Sequence, residues 1–320
     1  MPVLRTLICL LILSFSQNGY SQDETYAEKL GWPKGSKLLI MHIDDAGMSH
    51  DSNLGTIKAL EKGVANSFSV MMPCPWVPEI LDYIEKNPKV DAGLHLTLNA
   101  EWDLFRWGPL AGKPTVPGLV DKEGAMWSSV EDVVKNSNAD EVEMEIRAQI
   151  DRARTAGFEP THLDSHMGTI FADLEYVQRY MKVGADTQIP IMVPGGHATF
   201  ISAQNPDWPP AMIKVLGKQV WDSGLPVLDD LHNYSYGWKR EDKVKKYVEV
   251  IRSLKPGVTM MINHCTDPTE NFPIISSSTE TRLGDLEAMV HPDVRKAIEE
   301  EGIIMTTWRE LKERRDKVDE

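Results

Sequence analysis

The strongest constraint on this chain is an alternation along it. Short apolar runs recur at 37–43, 66–72, 90–98, 161–165, 189–193, 226–231, 258–263 and 303–307. Between several of them, apolar residues return every three to four positions. Leu54, Ile57 and Leu60 do so in 53–62, Val142, Ile146 and Ile150 in 140–156, and Val244, Tyr247, Val248 and Ile251 in 240–254. The segment 291–301 looks similar, with Pro292 at a helix start. Such periods between short apolar runs predict parallel strands crossed by helices. About eight runs predict an α/β fold, an irregular (β/α) TIM-like barrel in a single domain over 22–320. The stretch 99–138 breaks the pattern. It carries Trp102, Trp107 and Trp127 among several Gly and Pro, and reads as a long insertion after a strand.

The N-terminus has a layout of its own. One positive side chain, Arg5, precedes an apolar stretch at 7–15, and Gly19 and Ser21 place small residues before a cut at Gln22. This predicts a secretory signal peptide over 1–21 and a secreted or periplasmic protein. The apolar stretch is well short of the ~20 residues that a membrane span needs, so no stable membrane anchor is expected. A formal net charge of -14 repels phosphate backbones, and nucleic acid is excluded as a partner. Beyond the leader only Cys74 and Cys265 remain, which rules out a four-cysteine zinc site. They pair or stand as two separate thiols.

In a (β/α) barrel, reacting groups gather at the C-terminal ends of the strands. Here the first run ends in Asp44-Asp45, the third carries His95, the fourth runs into His162, Asp164 and His166, and the seventh ends in Asn263-His264. Carboxylates and imidazoles from separate strands suit a divalent metal. Two adjacent aspartates alone would read as a turn and a helix cap. A cation neutralises the pair, with Asp45 as ligand and Asp44 as the base that activates water. His166 lies at a strand-to-loop junction and is assigned to the metal, while His162 packs below it. Asp164 is the acceptor that orients a ligating histidine. His264 reads either as core packing or as the general acid for a leaving amine. From the residues alone, His95 in its leucine-rich run reads as a packed imidazole. Asp229 falls at a strand end and is a candidate substrate contact. Trp102, Trp107 and Trp127 either stack against pyranose rings or simply pack the insertion. His42, His50, His197, His232 and His291 are left as structural or surface residues, with His42 facing the way of Asp44 if its strand stays regular to the end.

The segments 37–53 (KLLIMHIDDAGMSHDSN), 55–63, 93–98 (GLHLTL), 160–166 (PTHLDSH) and 283–308, in this order, resemble the YdjC-like carbohydrate deacetylases, which include chitooligosaccharide deacetylase. The resemblance implies an irregular (β/α) barrel, one divalent metal ion (magnesium or zinc) and hydrolysis of the N-acetyl group of a glucosamine-type sugar. It implies Asp45, His95 and His166 as metal ligands and Asp44 as base. It is this resemblance that makes His95 a ligand. The sequence departs from the family pattern at Ala46, where an aromatic residue is usual, and at 167–170, which lack additional histidines. It also has no arginine in 191–194. Two other functions fit the same residues: another metal-dependent amide or ester hydrolase, and a non-catalytic secreted glycan-binding protein.

Overall fold

The computed structural model describes residues 24–206 and 208–318. The leader expected at 1–21 lies outside them. Among the described residues no helix is long and apolar enough to cross a membrane. Cys74 and Cys265 are buried and unpaired.

The strands are β1 (Lys37–Ala46), β2 (Ser67–Val70), β3 (Ala92–Leu96), β4 (Leu163–Ser165), β5 (Asp230–His232), β6 (Gly257–Asn263) and β7 (Ile304–Met305). All pair in parallel, in the order β4-β3-β2-β1-β6-β5, and β7 pairs with the foot of β1. Parallel neighbours need crossovers, and the helical patterns supply them. His50–Lys62 follows β1, Val77–Lys86 follows β2, and Lys243–Ser253 leads into β6. The edges β4 and β5 are linked by single bridges, Leu163 to Ile191 and Pro194 to Leu228. The sheet is thus curled into an irregular (β/α) barrel. Seven of the apolar runs contain strands, and 189–193 does not. Pro190 lies within it and Pro194 follows it, and a proline has no N–H to give to a ladder.

Alternation along β1 sorts its side chains. Leu39, Met41 and Ile43 join the core under the helices. Leu38 and Ile40 instead meet Val258, Met260, Ile262, Leu228 and Trp308 in a second cluster inside the barrel. His42 and Asp44 continue this inner face upward by the same period of two. So do Gly93 and His95 on β3, and His162, Asp164 and His166 along β4. The barrel interior is therefore apolar at its foot and polar at its top.

Gly93 is required by that interior. A Cβ there would lie 2.5 Å from the His162 ring. The ring cannot retreat, because it is stacked on Trp308 with centroids 5.3 Å apart. Gly93→Ala is expected to lose about 1–3 kcal/mol of stability, measured by urea unfolding. An unchanged midpoint would show that the His162–Trp308 stack yields.

Asp229 closes the opposite end, and the expectation that it touches substrate is corrected. Its carboxylate accepts from the backbone N–H groups of Tyr26 (2.8 Å), Ala27 (3.1 Å) and Val258 (2.9 Å). Val258 is level with Leu38, at the foot of β1. Six residues separate Leu38 from Asp44, or about 20 Å at roughly 3.3 Å per residue. Asp229 anchors the short helix Tyr26–Lys29 beneath the barrel.

Candidate metal and catalytic site

The site is built on a break in β1. Asp45 has φ 66, in the left-handed region, and the pairing register with β2 shifts between Ile43 and Ala46. A regular strand would send Asp44 and Asp45 to opposite faces. The left-handed residue turns both carboxylates into the barrel mouth. Such a backbone costs of order 1–3 kcal/mol and is tolerated where the surroundings fix it. Asp and Asn are among the side chains that accept it best.

Asp45 Oδ1 lies 3.3 Å from His95 Nε2 and 3.3 Å from His166 Nδ1. The three residues are buried and offer one donor atom each within 4.8 Å of one another. Asp45 Oδ1 has no hydrogen-bond partner among the described residues. A buried, unpartnered carboxylate oxygen facing two imidazole nitrogens fits a divalent cation in both charge and donor type. Each imidazole is steadied from behind. His95 Nδ1 sits 2.7 Å from Asp164 Oδ1, and His166 Nε2 sits 3.0 Å from Glu101 Oε2. These are the carboxylate–histidine pairs that set ring orientation at metal centres. Asp45 Oδ2 accepts from Arg282 Nη1 at 2.6 Å.

Charge follows from this geometry. Burial opposes ionisation of Asp45, but the Arg282 guanidinium and both imidazoles hold its carboxyl well below the usual range. Burial likewise works against His95 and His166. For His95, Asp44 and Asp164 more than reverse it, raising the imidazole well above its ordinary value. For His166, Glu101 and Asp45 do so, to about 9.

Asp44 faces the same space. Its Oδ2 is 3.7 Å from His95 Nε2 and 3.7 Å from His264 Nε2. His264 follows β6, and Tyr236 meets its ring edge-on at 4.9 Å. Burial lowers the His264 pKa, and Asp45 and Asp44 only partly offset this. The backbone N–H of His264 is held by Asp285 Oδ2 at 3.0 Å.

The tryptophans separate. Trp107 is buried beside His166, with ring centroids 6.4 Å apart, and donates to Asn99 O. Trp102 lies 5.7 Å from the Arg282 guanidinium. Trp127 donates to Gly118 O within the insertion and packs on the main core, as the packing alternative for it requires. His162, the residue before β4, lies on the same face as Asp164 and one step nearer the foot of the barrel.

Arg282 and Glu101 complete the site and carry no role in the sequence reading, whereas His42, left among the structural histidines, does face the way of Asp44. Arg282 carried a signal. In the helix Thr279–Val290 it shares spacing with Asp285, Leu286 and Met289, so two charges occupy the apolar register. Glu101 opens the irregular insertion, where no period marks it.

A family model described as YdjC-like protein matches residues 38–300. The carbohydrate deacetylase of Thermus thermophilus is 30% identical over 286 residues, which cover 89% of this chain and 97% of that relative. The carbohydrate deacetylase of Thermoanaerobacter pseudethanolicus is 26% identical over 279 residues, 86% of this chain and 100% of that one. Among solved structures, an Enterococcus faecalis V583 protein provisionally described as a cellobiose-phosphate cleavage protein aligns with a TM-score of 0.73 at 22% identity. It covers 86% of this chain and 99% of that one, and the likeness bears on the fold. The chain belongs to the YdjC-like family, whose relatives named above by sequence are carbohydrate deacetylases, a class of hydrolases.

Proposed function

We propose that this protein is a metal-dependent hydrolase that removes acetyl groups from N-acetylated, glucosamine-type sugars. The observation that carries the reading is the bare Asp45 Oδ1 facing His95 and His166, with Asp44 and His264 on the same rim. Asp45, His95 and His166 would hold the cation. When bound, a divalent cation supplies Lewis acidity to the acyl oxygen and acidity to a water. Asp44 Oδ2 takes a proton from the attacking water. His264 Nε2, 3.7 Å away, receives that proton and delivers it to the amine as the C–N bond breaks. The products are acetate and a free amino sugar. Arg282 holds Asp45 Oδ2 and so leaves Oδ1 for the metal.

The rim supports a sugar substrate. Trp76, Tyr234 and Tyr236 are exposed aromatic side chains on loops after β2 and β5, at the end of the barrel that holds Asp44. Rings that are apolar on the face and polar at the edge suit pyranoses, which present both kinds of surface.

The test is metal analysis of the purified protein, followed by acetate release from N-acetylglucosamine oligomers with and without a chelator. One cation per chain and chelator-sensitive release are expected. Turnover confined to simple esters would assign another hydrolase. Sugar binding unchanged by Asp44→Asn, with no turnover under any added metal, would assign a binding protein.

A further inference from the structure

Behind the base lies a histidine that neither the ligand set nor the reaction uses. His42 is fully buried on β1, two residues before Asp44 and on the same inner face. Its Nδ1 sits 3.0 Å from Ser67 Oγ and its Nε2 3.0 Å from Ser69 Oγ, both on β2. The same Nε2 is 3.1 Å from Asp44 Oδ1 and 2.9 Å from Asp164 Oδ2. Neither oxygen has a formed hydrogen bond among the described residues. His42 is thus the group shared by the two rear oxygens, the one on Asp164 also lying 3.8 Å from His162 Nε2. The front oxygens do the work: Asp44 Oδ2 faces His264, and Asp164 Oδ1 fixes His95.

We infer that His42 is a positioning residue that ties the base Asp44 to the carboxylate orienting His95, so that both are set by one imidazole clamped between two serines. The inference rests on the proposed deacetylase reading for its kinetic consequence. Its physical basis is independent of that reading. Two buried carboxylates converge on one nitrogen, and without it each would turn toward another donor. Asp44 would then leave its place opposite His264. A displacement of about 1 Å at a reacting group costs on the order of 100-fold in rate.

The test uses the full protein with zinc and two variants that differ in reach. In His42→Gln the side-chain amide lies near the position of Nε2. In His42→Asn it lies near Nδ1, keeping the Ser67 contact and losing the carboxylates. At saturating zinc, His42→Asn is expected to lower kcat about 100-fold with KM within about 3-fold of wild type, and to weaken zinc binding about 10-fold because Asp164 then holds His95 less firmly. His42→Gln is expected to stay within about 10-fold of wild-type kcat. A crystal structure of His42→Asn should show the Asp44 carboxylate turned away from His264. Equal kcat in the two variants at saturating zinc, or a loss in His42→Asn that saturating zinc restores in full, overturns the inference. If His42→Asn does not fold, a zinc-loaded His42→Gln with kcat down about 100-fold overturns it instead. If the wild type releases no acetate, it is the deacetylase reading that fails. The positioning inference is then judged by the crystal structures, and an Asp44 carboxylate unmoved in His42→Asn ends it.

Discussion

Asp45→Asn is expected to abolish tight binding of a divalent cation while the barrel remains folded. Loss of a group that merely supports a ligand costs roughly 10–100-fold in metal affinity, so loss of the ligand's own charge should cost at least about 100-fold. The fold survives because asparagine also accepts the left-handed backbone that Asp45 adopts at φ 66. Its amide oxygen can still accept from Arg282. Titration calorimetry with zinc, alongside thermal unfolding, reads both quantities. Wild-type affinity in the variant would remove Asp45 from the ligand set. The pH dependence of the wild type has a defined sign. His166 is raised to about 9 in the metal-free protein, so at neutral pH it carries a proton. A ligating imidazole must give that proton up. Cation binding should therefore release protons, and affinity should weaken as pH falls below about 9. Calorimetry in two buffers of different ionisation heat measures the release, and identical heats would contradict it.

Asp44→Asn gives the second large effect. It should lower kcat about 1,000-fold, inside the roughly 10²–10⁴-fold span of general base catalysis. Zinc affinity should fall far less than in Asp45→Asn, because Asp44 is not one of the three proposed ligands, although its Oδ2 lies 3.7 Å from His95 Nε2. The variant keeps its shape, and a change in the unfolding temperature would point to structure rather than chemistry. A kcat within tenfold of wild type would exclude Asp44 as the base. The contrast with Asp45→Asn is informative in itself: adjacent residues on one strand lose different things, one the cation and the other the rate.

The barrel was legible in the sequence because its signal is periodic. Apolar runs such as 258–263 can only be strands buried on both faces, and helices such as Ala139–Thr155 repeat their apolar stripe over many turns. The run at 189–193 takes a strand's place beside β4 but pairs only through a single bridge, because Pro190 within it and Pro194 after it have no N–H to donate. The Asp44-Asp45 pair alone reads as a turn and a helix cap, and only the histidines at the ends of other strands point it toward a metal. What positions the two carboxylates was not legible. A left-handed φ on a non-glycine residue leaves no mark in composition. Glu101 reaches His166 from 65 residues away, and Arg282 reaches Asp45 from 237 residues away. Sequence order does not report contacts of that kind. Asp229 was misplaced for a related reason. Its run, 226–231, begins before β5, so the residue taken for the top of a strand stands at its foot. Trp127 shows that a residue type suited to sugars is as well suited to filling an insertion.

The two single bridges between β4 and β5 divide the hoop unequally. Every group assigned to the reaction lies on the unbroken arc from β4 through β3, β2 and β1 to β6. The stitched segment carries none of them. Thermal loosening will therefore begin on the blank side, where amide exchange should be fastest, and the reacting groups will keep their spacing after that wall has started to part.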